Sequence, residues 1–97
     1  MVKHIVTFKF KGDEAVRREY AERFKAALMS LPAVIPCLES MEVGINENPA
    51  ETWDLVLTAV VPTMADVDVY AKHPAHVAAA AIIAPVKDSR ACVDYEI

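Results

Sequence analysis

The chain has 97 residues, 55% of them hydrophobic, and a formal net charge of −4 from 14 acidic and 10 basic side chains. This length makes a single domain over residues 1–97, with more apolar side chain than one small core hides, which favours a self-associating protein. The dispersed Lys and Arg residues exclude a basic nucleic-acid surface. The longest apolar run, Val77 to Val86, is broken by Pro85 and falls far short of the roughly 20 residues a membrane span needs.

Val2 to Phe10 alternates strictly, with Val2, His4, Val6, Phe8 and Phe10 on one face, and predicts a first strand. No signal peptide is expected ahead of it. Asp13 is placed to cap a helix running to about Ser30, in which Val16, Tyr20, Phe24, Ala27, Leu28 and Leu31 recur at helical spacing. Pro32 and Pro36 forbid its continuation. Cys37 to Asn46 and Trp53 to Val61 read as two more strands. The second of these also carries Val56 and Val60 on its far face, the pattern of a strand covered on both sides. Thr63 and Asp66 sit in capping-box spacing before a helix with Met64, Val67, Tyr70 and Ala71 as its inner stripe. Pro74 interrupts it, a second helical segment spans Ala75 to Ala84, and Arg90 to Ile97 is the last strand.

The order β-α-β-β-α-β predicts an α+β, ferredoxin-like unit: a four-stranded antiparallel sheet with its helices on one face. The other face, with Val56, Val60 and Ile5, would be bare in a monomer. Two sheets packed face to face would cover it and form a dimeric α/β barrel, so a homodimer is expected. With only Gly12 and Gly44 there is no glycine-rich loop, and no nucleotide cofactor is expected. Cys37 and Cys92 make no disulfide framework and have no CxxC-type neighbours, so the expectation is a cytoplasmic chain with reduced thiols and no metal.

Two of the three histidines fall in one turn, His73-Pro74-Ala75-His76. His73 precedes a proline suited to the first helical position, which makes it a structural cap. His76, two residues further into that helix, feels the positive end of the helix dipole. Its ring is thereby kept neutral, as a general base requires. An exposed histidine near a helix start is the plain alternative. Tyr70 and His76 would point about 120° apart on one continuous helix. A break at His73-Pro74 is what could bring them to one pocket, and simple core packing is the other reading of Tyr70. His4 either lines that pocket or is a core histidine satisfied by a neighbour. Buried among apolar side chains it would tend to stay neutral.

Taken together, Lys3-His4-Ile5-Val6, Phe8-Lys9-Phe10, Leu31-Pro32, Ile35-Pro36, Met41-Glu42-Val43-Gly44, Trp53-Asp54-Leu55-Val56-Leu57 and Tyr70…His73-Pro74-Ala75-His76-Val77 resemble the stress-responsive dimeric A/B barrel (Dabb) family. The resemblance runs the length of the chain and implies a ferredoxin-like unit that dimerises through its sheet. One member, plant olivetolic acid cyclase, closes a linear polyketide by aldol condensation with a tyrosine and a histidine that match Tyr70 and His76. Its first-strand histidine matches His4. Where it has a third-strand histidine this chain has Leu55, which implies a less polar pocket. The resemblance implies His76 and Tyr70 as catalytic residues and a small apolar or aromatic ligand held by His4, Val6, Phe8, Leu55 and Val67. The implied chemistry is cofactor-free, such as aldol cyclisation or isomerisation. The alternatives are a non-catalytic stress protein whose assembly is the function, and a cofactor-free monooxygenase of a related barrel family.

Overall fold

A computed structural model describes residues 1–97. The elements are β1 (Val2–Phe10), α1 (Glu14–Met29), a 3₁₀ turn (Leu31–Ala33), β2 (Ser40–Ile45), β3 (Leu55–Val61), α2 (Met64–Lys72), α3 (Pro74–Ile83) and β4 (Lys87–Glu96). The strands form one antiparallel sheet in the order β2-β3-β1-β4. This is the ferredoxin-like α+β arrangement that the element order predicts, with one helix more because Pro74 divides the second.

Each element starts where local chemistry supplies its unpaired backbone groups. The Asp13 carboxylate accepts the Val16 N–H at 2.9 Å and opens α1. Just before it, Gly12 adopts φ 108°, and a Cβ there would come within 3.1 Å of Val16, so only glycine makes this turn without strain. Thr63 and Asp66 form the complete capping box of α2.

Three boundaries differ from the periodicity. β2 begins at Ser40 and β3 at Leu55, later than Cys37 and Trp53, while β4 begins at Lys87, earlier than Arg90. The residue before β3 explains its late start. The Asp54 carboxylate accepts the Phe10 N–H at 2.7 Å and the Arg17 Nε–H at 3.1 Å, while its own N–H donates to the Phe8 carbonyl at 2.8 Å. Asp54 thus ties the end of β1 to α1.

The core lies between the sheet and the helices. Val2, Val6, Phe8 and Phe10 from β1 meet Phe24 and Leu28 from α1, Leu55 and Leu57 from β3, and Ile83 from α3. On α2 only Tyr70 is fully buried and Val67 half-buried. Met64 and Ala71, read as parts of the inner stripe, face solvent because this short helix packs on β3 and α3 along a single narrow edge. The far side of the sheet is open. Ile5 pairs with Thr58 on β3 and Val93 on β4, and Lys3 with Val60 and Tyr95, which puts Val56, Val60, Val93 and Tyr95 on that face. Val93 is 63% exposed. Ala91, Val93 and Tyr95 therefore point away from the helices, and the inward face of β4 carries Arg90, Cys92 and Asp94 opposite Phe8, Val6 and His4.

Candidate functional site

The break between α2 and α3 builds the site. His73 ends α2 with extended backbone (φ −62°, ψ 136°), and its Nδ1 accepts the Ala75 N–H at 3.0 Å. Its ring is used in capping α3, and Pro74 follows at a position that needs no N–H. The turn swings His76 back onto α2, where its ring centroid lies 4.6 Å from that of Tyr70. The His4 ring meets Tyr70 edge-on at 5.8 Å. One tyrosine thus touches both imidazoles.

Hydrogen bonds define each ring. His76 Nδ1 lies 2.9 Å from the Ala71 carbonyl, one of the acceptors left over at the end of α2. A carbonyl only accepts, so Nδ1 carries the proton and Nε2 the lone pair in the neutral ring. Burial is the main force lowering the pKa of His76 below its ordinary value. The Ala71 bond opposes it, and the positive fields of His4 and Arg90 add to it. His4 Nδ1 donates to the Asp94 carboxylate at 2.5 Å. Tyr70 is 1% exposed, and its hydroxyl has no hydrogen-bond partner. Burial pushes this phenol far above its ordinary range, so it stays protonated at any physiological pH.

A cavity of about 210 Å³ opens beside this cluster. Val6, Phe8, Phe24, Leu57 and Ile83 make its apolar walls. His4 and His76 bring imidazole rings to it, and Lys87 and Arg90 two cations. An engineered apolar cavity of about 150 Å³ accepts benzene, so this one suits a ligand modestly larger.

Residues 2–97 match the family model of the stress responsive A/B barrel domain. The chain belongs to the Dabb family. A dimeric protein of unknown function and ferredoxin-like fold from Bacteroides fragilis is 46% identical, with a TM-score of 0.96 over 99% of this chain and 95% of its own. A dimeric ferredoxin-like protein of unknown function from Thermobifida fusca is 31% identical, with a TM-score of 0.83 over 99% and 90%. A hydroxynitrile lyase from Passiflora edulis superimposes with a TM-score of 0.79 over 99% and 92%; at 18% identity the likeness is one of fold alone. No curated protein matches the chain.

Of the side chains that sequence reasoning assigns to a site, this Dabb chain brings His4, Val6, Phe8 and His76 to one cavity. Tyr70 packs behind the two imidazoles instead of lining it. Leu55 and Val67 do not line it either: Leu57, the cross-strand partner of Val6, takes the place expected of Leu55. Sequence reasoning missed Asp94, Cys92 and Arg90. The signal was the two-residue period of the last strand: if Ala91, Val93 and Tyr95 share the outer face, Arg90, Cys92 and Asp94 share the inner one.

Asp94 joins His4 to Cys92, whose thiol lies 3.5 Å from His4 Nδ1 and donates to the second Asp94 oxygen at 3.8 Å. Nitrogen, sulfur and oxygen atoms of the three lie within 4.8 Å of one another, the one set in this Dabb chain with the makings of a metal site. Burial, and then the Asp94 charge, push the Cys92 thiol up and favour the protonated sulfur, which is a poor ligand.

Proposed function

We propose that this Dabb protein is a homodimer, joined through the open face of its sheet, that performs cofactor-free acid–base chemistry on a small carbonyl compound in the cavity beside His76. The observation that carries the reading is the His76 ring in the lining of a cavity of ligand size: burial favours its neutral form, the Ala71 carbonyl holds its Nδ1 proton, and Tyr70 packs against it.

In this mechanism Nε2 of His76 takes a proton from the carbon next to the substrate carbonyl. The electrons of that C–H bond move to the carbonyl oxygen and form an enolate. The Ala71 carbonyl holds the His76 proton on Nδ1, so Nε2 stays available as the base. Tyr70, packed behind the imidazoles, holds His76 in place by ring contact. His4, anchored by Asp94, forms the polar wall. Return of the proton to the same or another carbon gives exchange or isomerisation, and attack on a second carbonyl gives an aldol bond. A positioned base contributes about 10²–10⁴-fold in rate.

Support for the dimer comes from two relatives described as dimeric and from the exposed apolar residues of the outer sheet face. That face also favours a second reading, in which assembly itself is the function and the histidines only hold the turn.

The test is exchange of the hydrogens beside the carbonyl of phenylacetone in deuterium oxide, followed by NMR. The native protein is expected to accelerate exchange and His76→Gln to lose the acceleration. Equal rates with both proteins overturn the catalytic reading.

A further inference from the structure

The inward face of β4 adds a charge pattern that acid–base chemistry on a carbonyl does not require. Lys87 and Arg90 both line the cavity, opposite Phe10 and Phe8 in the ladder. Neither takes part in any of the ion pairs of the chain. The carboxylate four residues on from Arg90 in its stripe, that of Asp94, already accepts from His4 and Cys92. In a chain with 14 acidic and 10 basic side chains, two cations without a carboxylate partner at the mouth of a cavity are not forced by a surplus of positive charge. The charge of Arg90 reaches into the site, where it opposes the upward shift of Tyr70 and adds to the downward shift of His76.

Resting on the reading above, we infer that the substrate is a small carboxylic acid bearing a second carbonyl, its carboxylate held by Arg90 and Lys87 and its compact apolar body by Phe8, Phe24, Leu57 and Ile83. The guanidinium presents a planar fork that matches a carboxylate with two parallel hydrogen bonds, while the lysine adds a point charge. A volume of about 210 Å³ admits a ring with a short side chain and excludes an extended polyketide or a nucleotide-linked acyl group from full enclosure. Anchoring the acid end on β4 directs the rest of the molecule toward His76 and His4, which line the same cavity. Arg90 and Lys87 are then specificity-determining residues, and the ligand they select is an anion.

Benzoate and its neutral isostere benzamide test the assignment by NMR titration of the native protein. Benzoate is expected to bind at least ten-fold more tightly than benzamide. Arg90→Gln is expected to remove that preference, Lys87→Gln to reduce it, and neither to weaken benzamide. Both side chains are exposed, so these variants fold. Equal affinity for the two probes, or a preference that survives Arg90→Gln, overturns the inference. Phenyl phosphate binding more tightly than benzoate overturns the carboxylate in favour of a phosphate. Exchange of phenylacetone hydrogens, measured on the same samples, separates the two readings. Exchange that depends on His76 without any benzoate preference sinks the inference and leaves the proposed function standing; neither exchange nor binding sinks both.

Discussion

The Tyr70 and His76 rings lie 4.6 Å apart, centroid to centroid, although six residues separate them across a proline. The contact exists because His73 caps α3 and Pro74 starts it in a new direction. It pairs an imidazole whose base form is favoured by burial with a phenol whose acid form is favoured by burial. The imidazole is thereby suited to taking a proton, while the phenol keeps its own and serves as the surface the imidazole packs on.

Tyr70→Phe separates the hydroxyl from the ring that carries it. The hydroxyl makes no hydrogen bond, and a buried unsatisfied group costs about 1–3 kcal/mol. Removing it is expected to leave the melting temperature unchanged or to raise it. In a domain of this size each kcal/mol moves the midpoint by about 4–8 °C. Proton exchange at the substrate should persist, because the ring that packs on His76 remains. A fall of several degrees in the melting temperature, read by calorimetry, would mean that the hydroxyl has a structural partner after all.

His76 sets the pH dependence. Its folded pKa lies below the ordinary 6.5, chiefly through burial. In the unfolded chain the ring binds a proton near 6.5, while the folded chain resists until lower pH. The stability tied to neutral His76 is therefore fully present above about 6.5 and is lost as pH falls through the lower folded value. Activity should follow the same ring, with the acid limb of kcat/KM below pH 6.5. NMR titration of the His76 ring checks the value directly. In Arg90→Gln it should move upward, since one of the positive fields on it is gone; a ring that titrates at 6.5 or above contradicts the assignment.

Most of the frame was legible in the sequence because its signals are local. Strict alternation marks β1, Asp13 and Thr63 mark helix starts, and His73-Pro74 marks the break. Asp54 and Asp94 were not legible, because each acts on a partner far along the chain: Asp54 on Phe10 and Arg17, Asp94 on His4. Their roles follow from the register of β1 against β3 and β4, which no local pattern states. The apolar residues of β4 were plain in the sequence, but which side of the sheet they face depends on that same register.

Asp94 is a positioning residue. Its carboxylate accepts the His4 Nδ1–H and so fixes the orientation of the ring. Asp94→Asn keeps the shape and loses the charge, and its amide can donate where the carboxylate accepts. The expected outcome is a changed His4 tautomer, visible in the nitrogen shifts of the ring, with a fall in kcat larger than any rise in KM. The pair is part-buried, so the loss of stability should stay at about 1–2 kcal/mol. An unchanged His4 spectrum would show that the ring is held by its packing alone.

Val93 tests the assembly. It lies partway along the edge strand β4 on the open sheet face, paired with Ile5, and is 63% exposed in the single chain. Because it points away from the helices, Val93→Arg removes nothing from the core and should leave the isolated fold intact. In a face-to-face dimer the same change puts two arginines into an apolar interface, where a buried charge without a partner costs several kcal/mol. Sedimentation velocity is expected to show a dimer for the native protein and a monomer for Val93→Arg. Proton exchange by the monomer then shows whether one subunit holds the whole site. The lining residues His4, Val6, Phe8 and Leu57 lie on the helix side of the sheet, away from the open face, so exchange should persist. If Val93→Arg remains dimeric, the subunits join through another surface, and the apolar sheet face needs a different explanation.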